Sequence, residues 1–159
     1  MTTHTVGDFT YSLNPDNTAN PSAFVGSGDS GTFVSSFSAN GQTYTVKLEK
    51  NPSNQRFRDA IGYDESTLHL TIPPAITHIG DVYFEHSRVK SVTFSHDMTI
   101  GHGILNMSEI RSFPFEHIIG DIPSVAFGSM YNYDDKVINI AKATSISSNA
   151  FQGSLGVSN

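Results

Sequence analysis

The sequence has no cysteine and no tryptophan, only six leucines, and charged side chains at just 15 % of its 159 positions. Each shortage removes a class of protein. Without cysteine there is no disulfide framework, no cysteine-ligated zinc or iron–sulfur centre, and no thiol nucleophile. Nine Lys and Arg stand against fifteen Asp and Glu, a formal net charge of −6. With no basic cluster to neutralise phosphates, nucleic acid is not an expected partner. No run approaches the roughly 18 consecutive apolar residues of a membrane-spanning helix. The opening Met1-Thr2-Thr3-His4-Thr5-Val6 has neither a basic start nor an apolar stretch, so no secretory signal is expected in it.

What is abundant is small and polar: 21 Ser, 14 Thr, 13 Gly and 11 Asn. With Ile and Phe as the main large apolar residues, this favours strands and turns over long helices. The length predicts one domain. In the first third, 8–13, 32–37 and 43–48 carry strand-like alternation. Asn14-Pro15-Asp16-Asn17 reads as a turn, and Asn40-Gly41 as the turn of a hairpin. Residues 18–31, rich in Ser, Gly, Ala and Asp, are expected to form a loop. Polar 49–60 is expected to form a long connection or a degenerate turn of the downstream segment.

The rest of the chain repeats. Ile79-Gly80-Asp81-Val82-Tyr83-Phe84, Ile100-Gly101-His102-Gly103-Ile104-Leu105, Ile122-Pro123-Ser124-Val125-Ala126-Phe127 and Ile146-Ser147-Ser148-Asn149-Ala150-Phe151 begin 21, 22 and 24 residues apart. Six or seven residues upstream of each lie Ile72, Phe94, Phe115 and Ile140, ending the short apolar-x-apolar segments 70–72, 92–94, 113–115 and 138–140. Four places further on come Ile76, Met98 and Ile119, with Thr144 breaking the series. A period of this size marks a solenoid whose coils cannot bury their apolar faces alone. Each coil is expected to hold one short strand and a corner where Ala-Phe closes a helical or 3₁₀ turn. Ile79, Ile100, Ile122 and Ile146 should stack into one core ladder, and Phe84, Leu105, Phe127 and Phe151 into another.

Residues 68–84, Leu-His-Leu-Thr-Ile-Pro-Pro-Ala-Ile-Thr-His-Ile-Gly-Asp-Val-Tyr-Phe, resemble the BspA-like (Treponema-type) leucine-rich repeat, whose signature runs roughly L-x-x-I-x-I-P-x-x-V-x-x-I-G-x-x-A-F. The resemblance covers 68–153 well and 7–48 loosely. It departs in the second copy, which lacks Ala-Phe, and in the Cys that usually follows that pair. The expected fold is mainly β: a short leucine-rich-repeat solenoid of about four coils, 61–159, behind an N-terminal β leader and hairpin cap, 1–60, in one continuous unit.

Candidate chemistry is sparse. His96 and His117 each follow a repeat Phe by two residues, so stacking brings them to neighbouring coils about 4.8 Å apart. With Asp97 or Glu116 they are weak candidates for a surface metal, but no third ligand is apparent. The acid pairs Asp64-Glu65 and Asp134-Asp135 lack the calcium-loop pattern and read as solvated. Gly26-Ser27-Gly28-Asp29-Ser30-Gly31 has no Lys and no following helix, so it reads as a loop rather than a phosphate cradle. No nucleophile elbow or dinucleotide fingerprint occurs. No catalytic residue, cofactor or reaction is assigned. Met130-Tyr131-Asn132-Tyr133 is either an exposed contact patch or a loop packing its own tyrosines. The last coil reads as unfinished, and an uncovered edge invites association. Tyr131, Tyr133, Phe151, Leu155 and Val157 are therefore the candidates for contact with other protein subunits.

Composition points first to a structural component of an assembly, concretely a bacteriophage decoration, tail or fibre protein in the virion. The resemblance instead implies a bacterial cell-surface adhesion module. An enzyme using His and acids on the solenoid face ranks last.

Overall fold

Alternating side chains form the first sheet. β1 (Thr3–Val6), β2 (Phe9–Leu13) and β3 (Thr18–Phe24) run antiparallel in sequence. β5 (Ser36–Ala39) and β6 (Gln42–Val46) form the hairpin, and the strand order is β1-β2-β3-β6-β5. Asn40 (φ 53°) and Gly41 (φ 76°) are both left-handed, as a tight primed turn between right-twisted strands requires. The computed structural model describes residues 2–62, 67–130 and 138–154.

One expectation is corrected in this part of the chain, and for 49–60 the second alternative, a degenerate turn of the downstream segment, is the one found. Residues 18–31 are not a loop: they hold β3 and β4 (Ser30–Thr32). Pro21 is tolerated inside β3 because β6 pairs only with Thr18 and Ala19, leaving no bond at Pro21 for a missing N–H to break. The connection at 49–60 ends in a short helix, α1 (Phe57–Ile61), whose Phe57 is fully buried.

From β4 onward the chain winds as a parallel stack. β4 pairs with β7 (His69–Thr71), and β7 with β9 (Ser91–Thr93). A second ladder runs along the next side of each coil. Leu48 bridges Ile79 in β8 (His78–Ile79), which pairs with β10 (Thr99–Ile100). β11 (Gly120–Ile122) pairs with β12 (Ala143–Ile146), Ile122 opposite Ile146. The expected Ile ladder is thus present, with Leu48 as an additional first member and five coils in all. Ile79 is fully buried, whereas Ile146 is 50 % exposed, so the last described rung is not core.

The corner after each ladder residue is not a helix. It is a run of overlapping turns at 81–86, 102–107, 124–129 and 148–153. Alternate N–H groups close the coil's own turn, as Asn106 N does to Gly103 O and Ser108 N to Leu105 O. The N–H groups between them reach the next coil, as Gly103 N does to Ser124 O, Leu105 N to Ala126 O and Met107 N to Gly128 O. Phe57 N bonds Tyr83 O in the same manner, which puts Phe57 in the phenylalanine position of a preceding coil. Phe84, Leu105 and Phe127 are fully buried beneath these turns.

The strands of the third and fourth copies do not form as expected. Ser112 makes a single bridge to Ser91, and Phe115–His117 is a 3₁₀ turn. No strand occurs at 138–140. The same turn shifts the corner by one residue: Ile118, not Ile119, is the fully buried partner of Met98.

Candidate functional site

The parallel sheet β4-β7-β9 turns its large side chains inward. Leu70, Ile72, Val92 and Phe94 are all buried. Its outward row is Thr32, Thr71 and Thr93, with Ser30, His69 and Ser91 beside it. These residues carry hydroxyl and imidazole groups but no carboxylate and no Lys or Arg. His69 Nδ1 lies 2.7 Å from Ser91 Oγ one coil away. A similar cross-coil pair, His78 Nδ1 to Thr99 Oγ1 at 2.7 Å, sits on the second ladder, where Ser145 also donates to Asp121. The polar surface is thereby laced along the stacking direction rather than across it.

Charge gathers elsewhere, at the start of the turn stack. Arg56 reaches Asp59 at 3.0 Å and Glu85 at 2.7 Å, tying α1 to the next coil. The hydrogen bond from Arg56 is the main cause holding the Asp59 carboxyl below its usual range. In the leader, burial pushes the Tyr11 phenol up to about 12, while its oxygen accepts a bond from Val34 N at 3.0 Å. These contacts fix the leader against the stack and offer no reactive group.

The two candidate metal ligands prove unlike each other. His96 and His117 both flank Phe94, with ring centroids 5.8 and 6.2 Å from it. His96 Nε2 lies 2.7 Å from Ile76 O and so forms a side-chain rung between coils. His117 Nδ1 is buried with no hydrogen-bond partner, and its Nε2 is 3.9 Å from Glu116 Oε1. Asp97, one of the two nearby acids, is instead paired to Lys142 Nζ at 2.8 Å. Among the described residues no group of three or more His, Asp or Glu could hold a metal.

Between the Ser91–Ser112 and Met98–Ile118 bridges the stack is open. A cleft of about 440 Å³ lies there, lined by Thr93, Phe94, Ser95, Ser112, Pro114 and His117 among others. It was not foreseen. The signal was Pro114, which stands where the two preceding copies have Thr71 and Thr93 and which cannot donate to a strand ladder.

Of the contact candidates, Phe151 is half-buried and packs on Phe127 with centroids 5.3 Å apart. Tyr131, Tyr133, Leu155 and Val157 lie outside the described residues, as do Asp64-Glu65 and Asp134-Asp135.

A family profile described as "BspA type Leucine rich repeat region" matches residues 36–158 in six copies. No curated protein matches the chain. Among solved structures, a leucine rich cell surface protein from Faecalibacterium prausnitzii A2-165 is similar at 16 % identity and a TM-score of 0.46, covering 97 % of this chain and 47 % of that one. This chain thus spans about half the length of that protein. A leucine-rich repeat protein from Bacteroides capillosus ATCC 29799 is similar at 14 % identity and a TM-score of 0.46, covering 96 % of each chain.

Proposed function

Because the chain belongs to the BspA-type leucine-rich repeat family, we propose that it is a non-enzymatic protein-binding module working at a bacterial cell surface. The observation that carries this reading is the outward row of the parallel sheet. Thr32, Thr71 and Thr93 stand in register on a backbone fixed by inter-coil hydrogen bonds. Such a surface loses little conformational freedom on binding, and its uncharged groups are cheap to desolvate. Its hydroxyls and imidazoles suit recognition by many modest contacts. His69 and His78 each share a hydrogen bond with a hydroxyl one coil away, Ser91 and Thr99, on the exposed surface, and His117 lies against Phe94.

The virion role is set aside. It rested on composition alone, and repeat architecture accounts for the same composition: Ile and Phe fill the ladders while Ser, Thr, Gly and Asn fill corners and face. Contact with further protein subunits remains part of the proposal. It falls on the last described coil, at exposed Ile146 and half-buried Phe151.

Two measurements test the proposal. Antibody labelling of intact cells of the source bacterium should stain without permeabilisation. Cross-linking on those cells should trap a partner protein, and the double variant Thr71→Glu/Thr93→Glu should abolish the cross-link while leaving the melting temperature unchanged. Staining only after permeabilisation removes the surface assignment. An undiminished cross-link in the double variant removes the sheet face.

A further inference from the structure

We propose that the cleft between the second and third repeat copies binds a short extended peptide segment of a partner protein, which fills the place of the strand that Pro114 prevents. This deepens the protein-binding reading and rests on it. The ladder itself supplies the first argument. Phe33 N bonds Thr71 O at 3.1 Å, Ile72 N bonds Thr93 O at 2.9 Å, and Val92 N bonds Ser112 O at 3.2 Å. Alternate N–H groups along a strand point the same way, so Phe94 N–H faces the third copy as Val92 N–H does. The carbonyl due to receive it belongs to Pro114. That residue has no N–H to complete the pairing, and its φ of −84° and ψ of 72° lead straight into the 3₁₀ turn. Among the described residues Phe94 N–H makes no hydrogen bond.

The second argument comes from the paired histidines. One coil earlier, the corresponding interval is spanned by His96 Nε2 on Ile76 O. His117 does not repeat that contact, and its buried Nδ1 stays unpartnered. Beside the cleft the fold thus leaves two buried polar groups without a partner, the Phe94 N–H and His117 Nδ1, and buried polar groups left unpaired are costly. An extended peptide satisfies both. It offers a carbonyl to Phe94 N–H and, along the same edge, an N–H or C=O to His117 according to tautomer. The hydroxyls of Thr93, Ser95 and Ser112 serve the remaining backbone groups. Among the described lining residues Glu116 is the one carboxylate and there is no Lys or Arg, a lining that suits a neutral backbone better than an anion. The volume falls within the roughly 300–1,000 Å³ of ligand clefts.

The test uses the full chain and a capped hexapeptide, acetyl-Lys-Ser-Val-Thr-Phe-Ser-amide, the sequence of residues 90–95. Amide chemical shifts are followed by NMR, with maltose as a neutral hydroxyl-rich control. The expected result is saturable shifts at Phe94, Ser95, Ser112 and His117 with peptide and none with maltose. Pro114→Thr restores the donor and the preceding copies' residue, so the ladder closes; affinity should fall by about tenfold or more, with an unchanged or raised melting temperature. His117→Gln, a milder change, should weaken binding while leaving the fold's spectrum intact. The proposal is overturned if the shifts do not saturate, centre elsewhere, or follow maltose, or if both variants bind like the parent. In those cases an undisturbed cell-surface cross-link would leave the broader binding role standing.

Discussion

On the turn side, backbone hydrogen bonds pass from coil to coil without a break, from Phe57 onto Tyr83, Val82 onto His102, Gly103 onto Ser124 and Phe127 onto Ala150. On the sheet side, regular pairing among the described residues ends after β9 and continues only as the single Ser91–Ser112 bridge. The same coils build both sides, so the difference lies in what each side demands of the sequence. The turns need a buried apolar residue at a fixed point and accept almost anything outside it. The strands need an N–H at every second residue, and one proline ends them. Cohesion is therefore concentrated on the turn side, while the sheet side is freer to change for contact with other molecules.

The largest expected effect separates the two sides directly. Phe127 touches Phe113, Phe115 and Phe151 and is fully buried, so Phe127→Ala should cost about 3–5 kcal/mol in denaturant unfolding. Thr93→Ala, on the outer sheet face, should stay within about 0.5 kcal/mol. Comparable losses at the two positions would erase the distinction. Next comes Gly101, where an added Cβ would stand 2.6 Å from Asp81 N and collide with the Asp81 carboxylate. Gly101→Ala should cost about 1–3 kcal/mol, because the neighbour is backbone of the adjacent coil and cannot retreat.

A smaller effect has the opposite sign. Val82 is β-branched yet has φ 53°, at the position where the next coil carries Gly103 with φ 62°. A side chain in this region costs about 1–2 kcal/mol, and glycine's extra chain entropy offsets part of the relief. Val82→Gly should therefore raise stability by about 0.5–1 kcal/mol, read as a higher melting temperature. The smallest effect is on pH dependence at the first turn. Arg56 holds the folded Asp59 pKa below its unfolded value of about 3.9, so this stabilisation is present above that pH and fades as pH drops through the lower, folded value. Arg56→Gln should flatten that acid limb without altering stability near neutral pH by more than a surface pair is worth.

The legibility of the fold divides along the same line. Ile79, Ile100, Ile122 and Ile146 were readable because equal spacing places them in one register, and the structure pairs Ile79 with Ile100 and Ile122 with Ile146. Leu48 and Phe57 belong to the same stack, of which the sequence showed only the alternative of a degenerate turn at 49–60. Residues added between them and the next coil stretch the interval well beyond the repeat period, so periodicity carries no trace of them. β3 was hidden by Asn20-Pro21-Ser22, whose turn propensity is overridden because β2 pairs along the whole segment. The equivalence of His96 and His117 was visible, but not their divergence. That depends on Pro114, whose effect on the ladder is felt by a residue three places along.

His86, Met107, Ser129 and Gly153 occupy one conformational site, all left-handed with φ between 51° and 77°, at successive coils. An imidazole, a thioether, a hydroxyl and a bare hydrogen share it, because the backbone alone carries the bonds on either side. The row works as a type case with fixed slots: the spacing is set by the frame, and the characters can be changed one at a time. A lineage could therefore rewrite what this edge presents to its surroundings, coil by coil, without re-solving the fold.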